Sequence, residues 1–252
     1  MESEFMCTLI LANQVIDDAP LLFGANRDER FGRPSEGPRL HESGDLRVLA
    51  PRDLKAGGTW LGLNEAEVLV AITNRFGKPP EESRRSRGEL VDRALEEASA
   101  AEAAEVIAAL SASDYNGFHL LCADRDAAYI VWSDGESMHR ETLEPGLLVL
   151  TERSFGAAEN ARKERVLAQC QQLLADGKLN EKSLKTVLSR CEVGSIDSTC
   201  VNLPEMNYGT RSSTILRLGK RRCFLHARGA PCSARYRDMS VLLDRLLGKP
   251  AK

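Results

Sequence analysis

Cys7 carries the most distinctive chemistry in the sequence. It follows Met6 and opens an apolar run. If processing makes Cys7 the first residue, it combines a thiol nucleophile with a free α-amine, whose pKa of about 7.7–8.0 makes it a usable base at neutral pH. The alternative is a small buried core residue, the commoner role of a cysteine in an apolar strand.

Polar and charged residues, Asn26 to Glu29, directly follow the next apolar run. Alternation along a strand places Asn26 and Asp28 on one face, and Arg27 on the other with Ala25. Because buried charges need partners, such a cluster at a strand end favours a functional site. The alternative is a solvated loop.

Three further segments contain residues that could bind a ligand. The glycines Gly57 and Gly58, just before Trp60, allow a tight turn or the close approach of a ligand. Asn74 and Arg75 end an apolar run, where an asparagine could donate to an oxyanion or cap a turn. Arg211 stands among hydroxyl residues and could hold a carboxylate or phosphate, or belong to an edge strand.

Composition and charge exclude several classes of protein. The 252 residues are 42% hydrophobic and carry 34 basic against 37 acidic side chains, a net charge of −3. The chain can bury a full core, and it offers no electrostatic case for binding nucleic acid. Its longest apolar runs fall far short of the roughly 20 residues that span a bilayer, so no transmembrane helix is predicted. Because the N-terminus lacks a secretory signal pattern, we expect a cytoplasmic protein.

The seven cysteines and four histidines show no metal-ligand spacing. None of the cysteines forms a CxxC pair, and the histidines are scattered along the chain. We therefore predict that most cysteines are reduced core residues and that there is no structural metal site.

Apolar periodicity predicts strands, helices, strands, helices, strands and a final helix. The predicted strands are Cys7–Ala12, Leu21–Asp28, Val48–Asp53, Thr59–Asn64, Val68–Asn74, Phe118–Ala123, Ala128–Ser133, Met138–Leu143, Leu147–Thr151, Ser212–Leu218 and Cys223–Arg228. The predicted helices are two within Ser83–Leu110, joined near Ser99, then Ala158–Ala175, Ser183–Cys191, with Asn180 as its cap, and Asp238–Leu247. This order predicts an α+β protein, a four-layer αββα sandwich of two antiparallel sheets.

The first residues are predicted to lie outside the domain. Glu4-Phe5 is what a common restriction site encodes, so residues 1–6 are expected to be an N-terminal extension or a cloning scar, with residues 7–252 as a single domain. Otherwise the extension is a propeptide that is removed, or it stays and blocks the amine of Cys7.

Five motifs together resemble the NRDE family, which includes the transport and Golgi organisation 2 proteins. They are Met6–Leu9, Asn26–Glu29, Gly57–Gly62, Thr73–Arg75 and Gly209–Thr214. The resemblance spans nearly the whole chain and extends to Cys-type N-terminal nucleophile hydrolases such as penicillin V acylase and bile salt hydrolase. It independently implies the αββα fold.

The resemblance also implies roles for individual residues. In the hydrolases the N-terminal cysteine attacks an amide carbonyl, an aspartate holds its amine and an asparagine helps form the oxyanion hole, which maps onto Cys7, Asp28 and Asn74. This chain departs from the hydrolases at two positions. Ala25 stands where they have an arginine, and Arg27 could replace that arginine. Glu152 stands near the position of their second oxyanion-hole asparagine, and an ionised glutamate cannot donate a hydrogen bond to an oxyanion. The candidate substrate-binding residues are Asn26, Arg27, Trp60, Arg75 and Arg211.

Two functions remain open at this point. One is an amidohydrolase or acyltransferase that acts on a small amide or thioester and needs no cofactor. The other is a non-catalytic carrier, because NRDE proteins have been linked to haem trafficking and to lipid or acyl-CoA metabolism. The chain has no CxxCH motif, so a haem axial ligand would have to be Cys7 or a lone histidine such as His226.

Overall fold

The computed structural model describes residues 7–158 and 161–248, so the predicted extension, residues 1–6, lies outside the described residues. The strands are β1 (Thr8–Ile16), β2 (Ala19–Arg30), β3 (Ser35–Ser43), β4 (Leu46–Asp53), β5 (Leu61–Asn64), β6 (Leu69–Asn74), β7 (Phe118–Ala123), β8 (Ala128–Ser133), β9 (Met138–Leu143), β10 (Gly146–Thr151), β11 (Asn202–Leu203), β12 (Tyr208–Leu218), β13 (Cys223–Arg228) and β14 (Arg237–Asp238). The α-helices are α1 (Gly88–Ala94), α2 (Ala100–Ala108), α3 (Ala161–Ala175), α4 (Glu181–Leu188) and α5 (Ser240–Leu247). None of the helices in the described part of the chain is long and apolar enough to cross a membrane.

The described chain divides into two compact units, each built on one antiparallel sheet. Unit 1 comprises residues 7–32, 145–158 and 161–240, and its strands lie in the order β10-β1-β2-β12-β13-β14, with β11 paired to β12. Unit 2 comprises residues 33–144 and 241–248, and its strands lie in the order β3-β4-β5-β6-β7-β8-β9. Two antiparallel sheets with helices confirm the predicted α+β class. The assignment of residues 7–252 to a single domain stays a prediction.

In unit 1, α3 and α4 cover one face of the sheet. Val166 and Leu188 from these helices join Ile10 and Leu22 from the strands in one apolar core. Gly24 lets α4 lie close to β2, since a Cβ there would come within 3.1 Å of the Leu188 side chain. The predicted cap of α4 at Asn180 is confirmed by a capping box.

In unit 2, α1 and α2 pack on the sheet through one core cluster. The predicted junction near Ser99 is confirmed, because its hydroxyl accepts a hydrogen bond from the Glu102 amide at 3.2 Å. The predicted glycine pair serves packing as well as a turn: Gly57 has a φ of +84°, and a Cβ on Gly58 would lie 2.7 Å from the carbonyl carbon of Gly88.

Three strands escape the sequence analysis, and five others are longer than predicted. β11 and β14 have only two residues each, and β3 is a polar strand that pairs with β4 alone, so it lacks the alternating apolar pattern. β12 begins at Tyr208 rather than Ser212, and β2 continues to Arg30. The polar segment Asn26–Glu29 is therefore part of a strand and not a solvated loop.

Candidate active site

Cys7 lies half-buried at the start of β1, opposite Arg27 on β2. The register pairs Thr8 with Asn26. Asn26 faces the helices, since its Nδ2 donates to the carbonyls of Leu188 and Thr199 at 2.9 and 2.8 Å. Because side chains alternate along a strand, Cys7 and Arg27 share the opposite face of the sheet.

Arg27 and Asn26 are both buried, and each already has partners. Arg27 shares its face with Glu29, and an Nη of Arg27 lies 3.6 Å from a carboxylate oxygen of Glu29. Both amide hydrogens of Asn26 are committed to backbone carbonyls, whereas its Oδ1 accepts no hydrogen bond from the described residues. A substrate-binding role for either residue stays a prediction.

Asp28 is the buried acid next to Cys7. The hydroxyl of Thr210 donates to its Oδ1 at 2.5 Å, and no residue of the described chain donates to its Oδ2. Burial raises the pKa of Asp28 well above its usual value, although the Thr210 hydrogen bond and the Arg162 charge act in the opposite direction. The surroundings of Asp28 therefore favour its neutral carboxyl form over the carboxylate unless a further cation lies beside it.

The Cys7 thiol lies on the other face of the sheet, but the charge of Asp28 still affects it. Its Sγ lies 3.9 Å from the carbonyl oxygen of Asp28. Burial, followed by the Asp28 charge, raises the pKa of Cys7 from 9.0 to about 12. While residues precede Cys7, its thiol stays protonated near neutral pH and needs a base to become nucleophilic.

A buried ion pair lies close enough to Asp28 for its two charges to shift the pKa of Asp28. Arg162, in the first turn of α3, donates to Glu152 at 2.5 Å, and the two side chains are 1% and 4% exposed. The Arg162 charge lowers the pKa of Asp28, and the Glu152 charge raises it. Paired in this way, Glu152 accepts hydrogen bonds and cannot supply the donor of a second oxyanion-hole asparagine.

The sequence analysis missed Arg162, although a signal was present. Arg162, Val166 and Cys170 form the buried stripe of α3, at a spacing of one helical turn each. An arginine on an otherwise apolar helix face predicts a buried acidic partner.

Arg211 lies at a β-bulge of β12, between Thr210 and Ser212. Its guanidinium lies 5.8 Å from the centre of the Phe31 ring, a cation–π contact. The bulge interrupts the alternation of side chains, so the face that Arg211 occupies could not be predicted by counting residues.

The remaining candidates, Trp60, Asn74 and Arg75, belong to unit 2. Asn74 is the last residue of β6 and is half-buried. Arg75 lies with its guanidinium 4.9 Å from the centre of the Trp132 ring, and burial lowers its pKa. Trp60 packs against the core cluster of unit 2. Their roles in binding or catalysis stay predictions.

In the chain that begins at Met1, where Cys7 has no free α-amine, Asp28→Asn is expected to stabilise the fold. Because the pKa of Asp28 is raised in the folded state, its contribution to stability is full only below the unfolded value of 3.8 and is lost as the pH rises through the folded value. Asparagine can still accept from Thr210 but carries no charge. We expect the free energy of unfolding at neutral pH to rise by about 1 kcal/mol or more in denaturant titrations, and the gain to shrink toward pH 3.8.

Asp53→Asn in unit 2 is the matched control and should lower the free energy of unfolding rather than raise it. Asp53 pairs with Arg33 at 2.6 Å and accepts from the amides of Lys55 and Ala56 at 2.9 Å each. Breaking this arrangement should cost about 1 kcal/mol or more. If Asp28→Asn destabilises the chain as Asp53→Asn does, Asp28 has a stabilising partner and our account of its environment is wrong.

A basic cavity, also missed by the sequence analysis, lies on the helix-covered side of unit 1. It has a volume of about 1050 Å³, and four cations from three segments line it: Arg165 of α3, Lys185 and Arg190 of α4 and its C-terminal end, and Arg235 of the loop after β13. No acidic side chain lines it among the described residues. Burial and the neighbouring Arg190 charge lower the pKa of Arg165. An anionic ligand would relieve this repulsion, but Cys7 faces the other side of the sheet.

Comparison with known proteins assigns the chain to a family. The family model described as Transport and Golgi organisation 2 matches residues 6–224. The chain is also 30% identical over 228 residues to the Transport and Golgi organization protein 2 homolog of Bos taurus, an alignment that covers 78% of this chain and 81% of the bovine protein. The chain belongs to the Transport and Golgi organisation 2 family. The resemblance predicted from the five sequence motifs is thereby confirmed.

Solved structures of hydrolases share the fold of this family member. A variant of conjugated bile acid hydrolase from Clostridium perfringens has a TM-score of 0.60 at 13% identity, with 93% of each chain covered. A Caenorhabditis elegans N-acylethanolamine-hydrolyzing acid amidase ortholog has a TM-score of 0.56 at 16% identity, covering 83% of this chain and 92% of that chain. At these identities the likeness shows the fold alone, which is of the N-terminal nucleophile hydrolase type, as predicted.

Proposed function

We propose that the chain is a Cys-type N-terminal nucleophile amidohydrolase or acyltransferase, active on a small amide or thioester once Cys7 is its first residue. The observation that carries the proposal is the environment of Asp28. One oxygen of this buried carboxylate is held by Thr210, and the other has no donor among the described residues. The α-ammonium of a terminal Cys7 is the kind of cation that such a carboxylate needs.

In the proposed reaction, the α-amine of Cys7 accepts the thiol proton, and the sulfur attacks the substrate carbonyl carbon. A C–S bond forms while the carbonyl electron pair moves to oxygen, where the resemblance implies Asn74 as a hydrogen-bond donor. The C–N bond of an amide then breaks, and the leaving amine takes the proton from the ammonium. Water or another acyl acceptor attacks the thioester and releases the thiol. Asp28 orients the amine and stabilises its protonated form.

The base in this reaction exists only after processing. When a residue precedes Cys7, its nitrogen is an amide that cannot accept the thiol proton, and the pKa of the thiol is about 12. A terminal ammonium would neutralise Asp28 and so remove one of the causes that raise the Cys7 pKa. The chain with residues 1–6 attached is therefore expected to be inactive.

The test compares two preparations, one that begins at Met1 and one that begins at Cys7 after proteolytic removal of a fusion partner. Intact mass establishes the first residue of each. We expect only the second to hydrolyse a panel of N-acylethanolamines, other acyl amides and acyl thioesters, with release of the free acid measured by mass spectrometry. Acetylating the α-amine of Cys7 should abolish turnover. Equal turnover in both preparations, or none in either, would contradict the proposal.

The basic cavity favours a second candidate, the binding of an anionic cargo such as acyl-CoA or haem. Four cations without an acidic neighbour in the lining suit phosphate or propionate groups. For haem, His226 is a poor axial ligand, because it is buried and does not line the cavity. The cavity therefore favours acyl-CoA over haem.

A paired substitution tests the carrier function. Lys185→Ala with Arg235→Ala is expected to weaken the binding of a fluorescent acyl-CoA by about tenfold or more, since each charged hydrogen bond contributes about 1.5–3 kcal/mol. Arg237→Ala, an exposed cation outside the cavity lining, is the control and should bind as the parent does. Unchanged binding in the paired variant would contradict the assignment. A haem titration without any change in the absorption spectrum would exclude haem as the cargo.

A further inference from the structure

Three cysteines from separate segments converge in unit 1. Cys191 follows α4, Cys200 ends the next loop, and Cys232 lies in the loop after β13. Their three Sγ atoms all lie within 4.8 Å of one another, and those of Cys200 and Cys232 are 3.2 Å apart. The sequence gives no such indication, because 8 and 31 residues separate the three positions.

We propose that Cys191, Cys200 and Cys232 form a binding site for one thiophilic divalent cation, of which Zn²⁺ is the biological example. The Zn–S bond is about 2.3 Å long, so a tetrahedral ion holds its sulfur ligands about 3.8 Å apart. The Sγ atoms of Cys200 and Cys232 are closer than this, at 3.2 Å, and none of the three separations exceeds 4.8 Å. Shifts of about 1 Å or less would bring all three onto one ion.

The backbone around the cysteines is already fixed. The Cys200 amide donates to the Arg190 carbonyl at 2.8 Å, which closes the loop that starts at Cys191. The Ser189 hydroxyl donates to the Pro231 carbonyl at 3.0 Å, which ties the end of α4 to the loop of Cys232. The thiols are thus held together by contacts that do not depend on a metal, so little ordering is needed on binding.

The burial of the three side chains also suits a metal site. Cys200 is fully buried and Cys191 half-buried, whereas Cys232 is exposed and gives an ion a route from solvent. With three protein ligands, a fourth position stays available for water or a small ligand. A disulfide between Cys200 and Cys232 is the competing outcome, but it would leave the position of Cys191 unexplained.

The test is metal binding by the full chain with its thiols reduced. We expect one Zn²⁺ per chain in competition with a chromophoric chelator, proton release on binding, and sulfur-to-metal charge-transfer absorption when Co²⁺ replaces Zn²⁺. Cys232→Ser is the main variant, because an exposed side chain can change without disturbing the fold. Since loss of an outer contact already costs about 10–100-fold in metal affinity, loss of a ligand should cost about tenfold or more.

Cys223→Ser is the control for the loss of a thiol, since it removes a buried thiol of β13 outside the cluster. It should keep the stoichiometry and affinity of the parent. Equal affinity in Cys232→Ser, or no metal uptake by the reduced parent, would overturn the proposal. So would a Cys200–Cys232 disulfide that forms in place of metal binding. These outcomes do not depend on the Cys7 reaction, because none of them measures turnover.

Discussion

Replacing Cys7 with alanine in the chain that begins at residue 7 is expected to lower amide turnover by about 10³-fold or more. The substitution removes the nucleophile and leaves the α-amine in place. In the proposed site Asp28 would keep its partner, because the α-ammonium and not the thiol is the cation that neutralises it. The loss should therefore appear in kcat, measured by the release of free acid under saturating substrate.

The same variant should fold as the parent does. Cys7 is half-buried at the start of β1, so truncation to alanine is expected to change the free energy of unfolding by about 1 kcal/mol or less. Cys223→Ser controls for the loss of a thiol outside the site and should keep full turnover. Comparable turnover in Cys7→Ala and the parent would remove Cys7 from the reaction.

Replacing Arg162 with methionine is expected to destabilise the chain by about 3–5 kcal/mol. The change leaves the buried Glu152 carboxylate without its 2.5 Å partner and removes a charge that favours ionised Asp28. Because methionine fills much of the volume of arginine, the loss of stability should come mainly from the missing charge and not from a cavity. The midpoint and slope of denaturant unfolding measure the loss.

Two controls distinguish the effect of breaking the buried Glu152–Arg162 pair from the effect of removing any arginine. Arg85→Met removes one partner of the exposed Arg85–Glu89 pair and should cost less than about 1 kcal/mol. The double variant Arg162→Met with Glu152→Leu removes both buried charges and should recover much of the stability. If Arg162→Met costs no more than Arg85→Met, the Glu152–Arg162 pair is not the buried contact described above.

Local sequence patterns predicted much of the fold and part of the site. Strand alternation separated Asn26 from Arg27 correctly, because β2 is regular up to Arg30. Likewise, the Asn180 cap is a short-range signal that tertiary contacts did not override. β3 was missed because an edge strand needs no apolar alternation, and the bulge at Arg211 cannot be detected from residue types.

The features that sequence alone could not supply depend on distant parts of the chain. The environment of Asp28 combines Thr210, 182 positions away, with the charge of Arg162. Similarly, Cys191, Cys200 and Cys232 come together only because α4 and the loop after β13 meet. Pairings of this kind follow from sheet order, which the sequence analysis did not predict.

The intact mass of the Cys7-first chain, mixed briefly with an acyl amide that it turns over, tests the central claim most directly. The account predicts a covalent adduct with the mass of the acyl group, located on the Cys7 sulfur by peptide mapping and lost as the thioester hydrolyses. The Met1-first chain and the α-acetylated chain should show no adduct. An adduct on another residue, or substrate consumption in a chain whose Cys7 never becomes acylated, would contradict it.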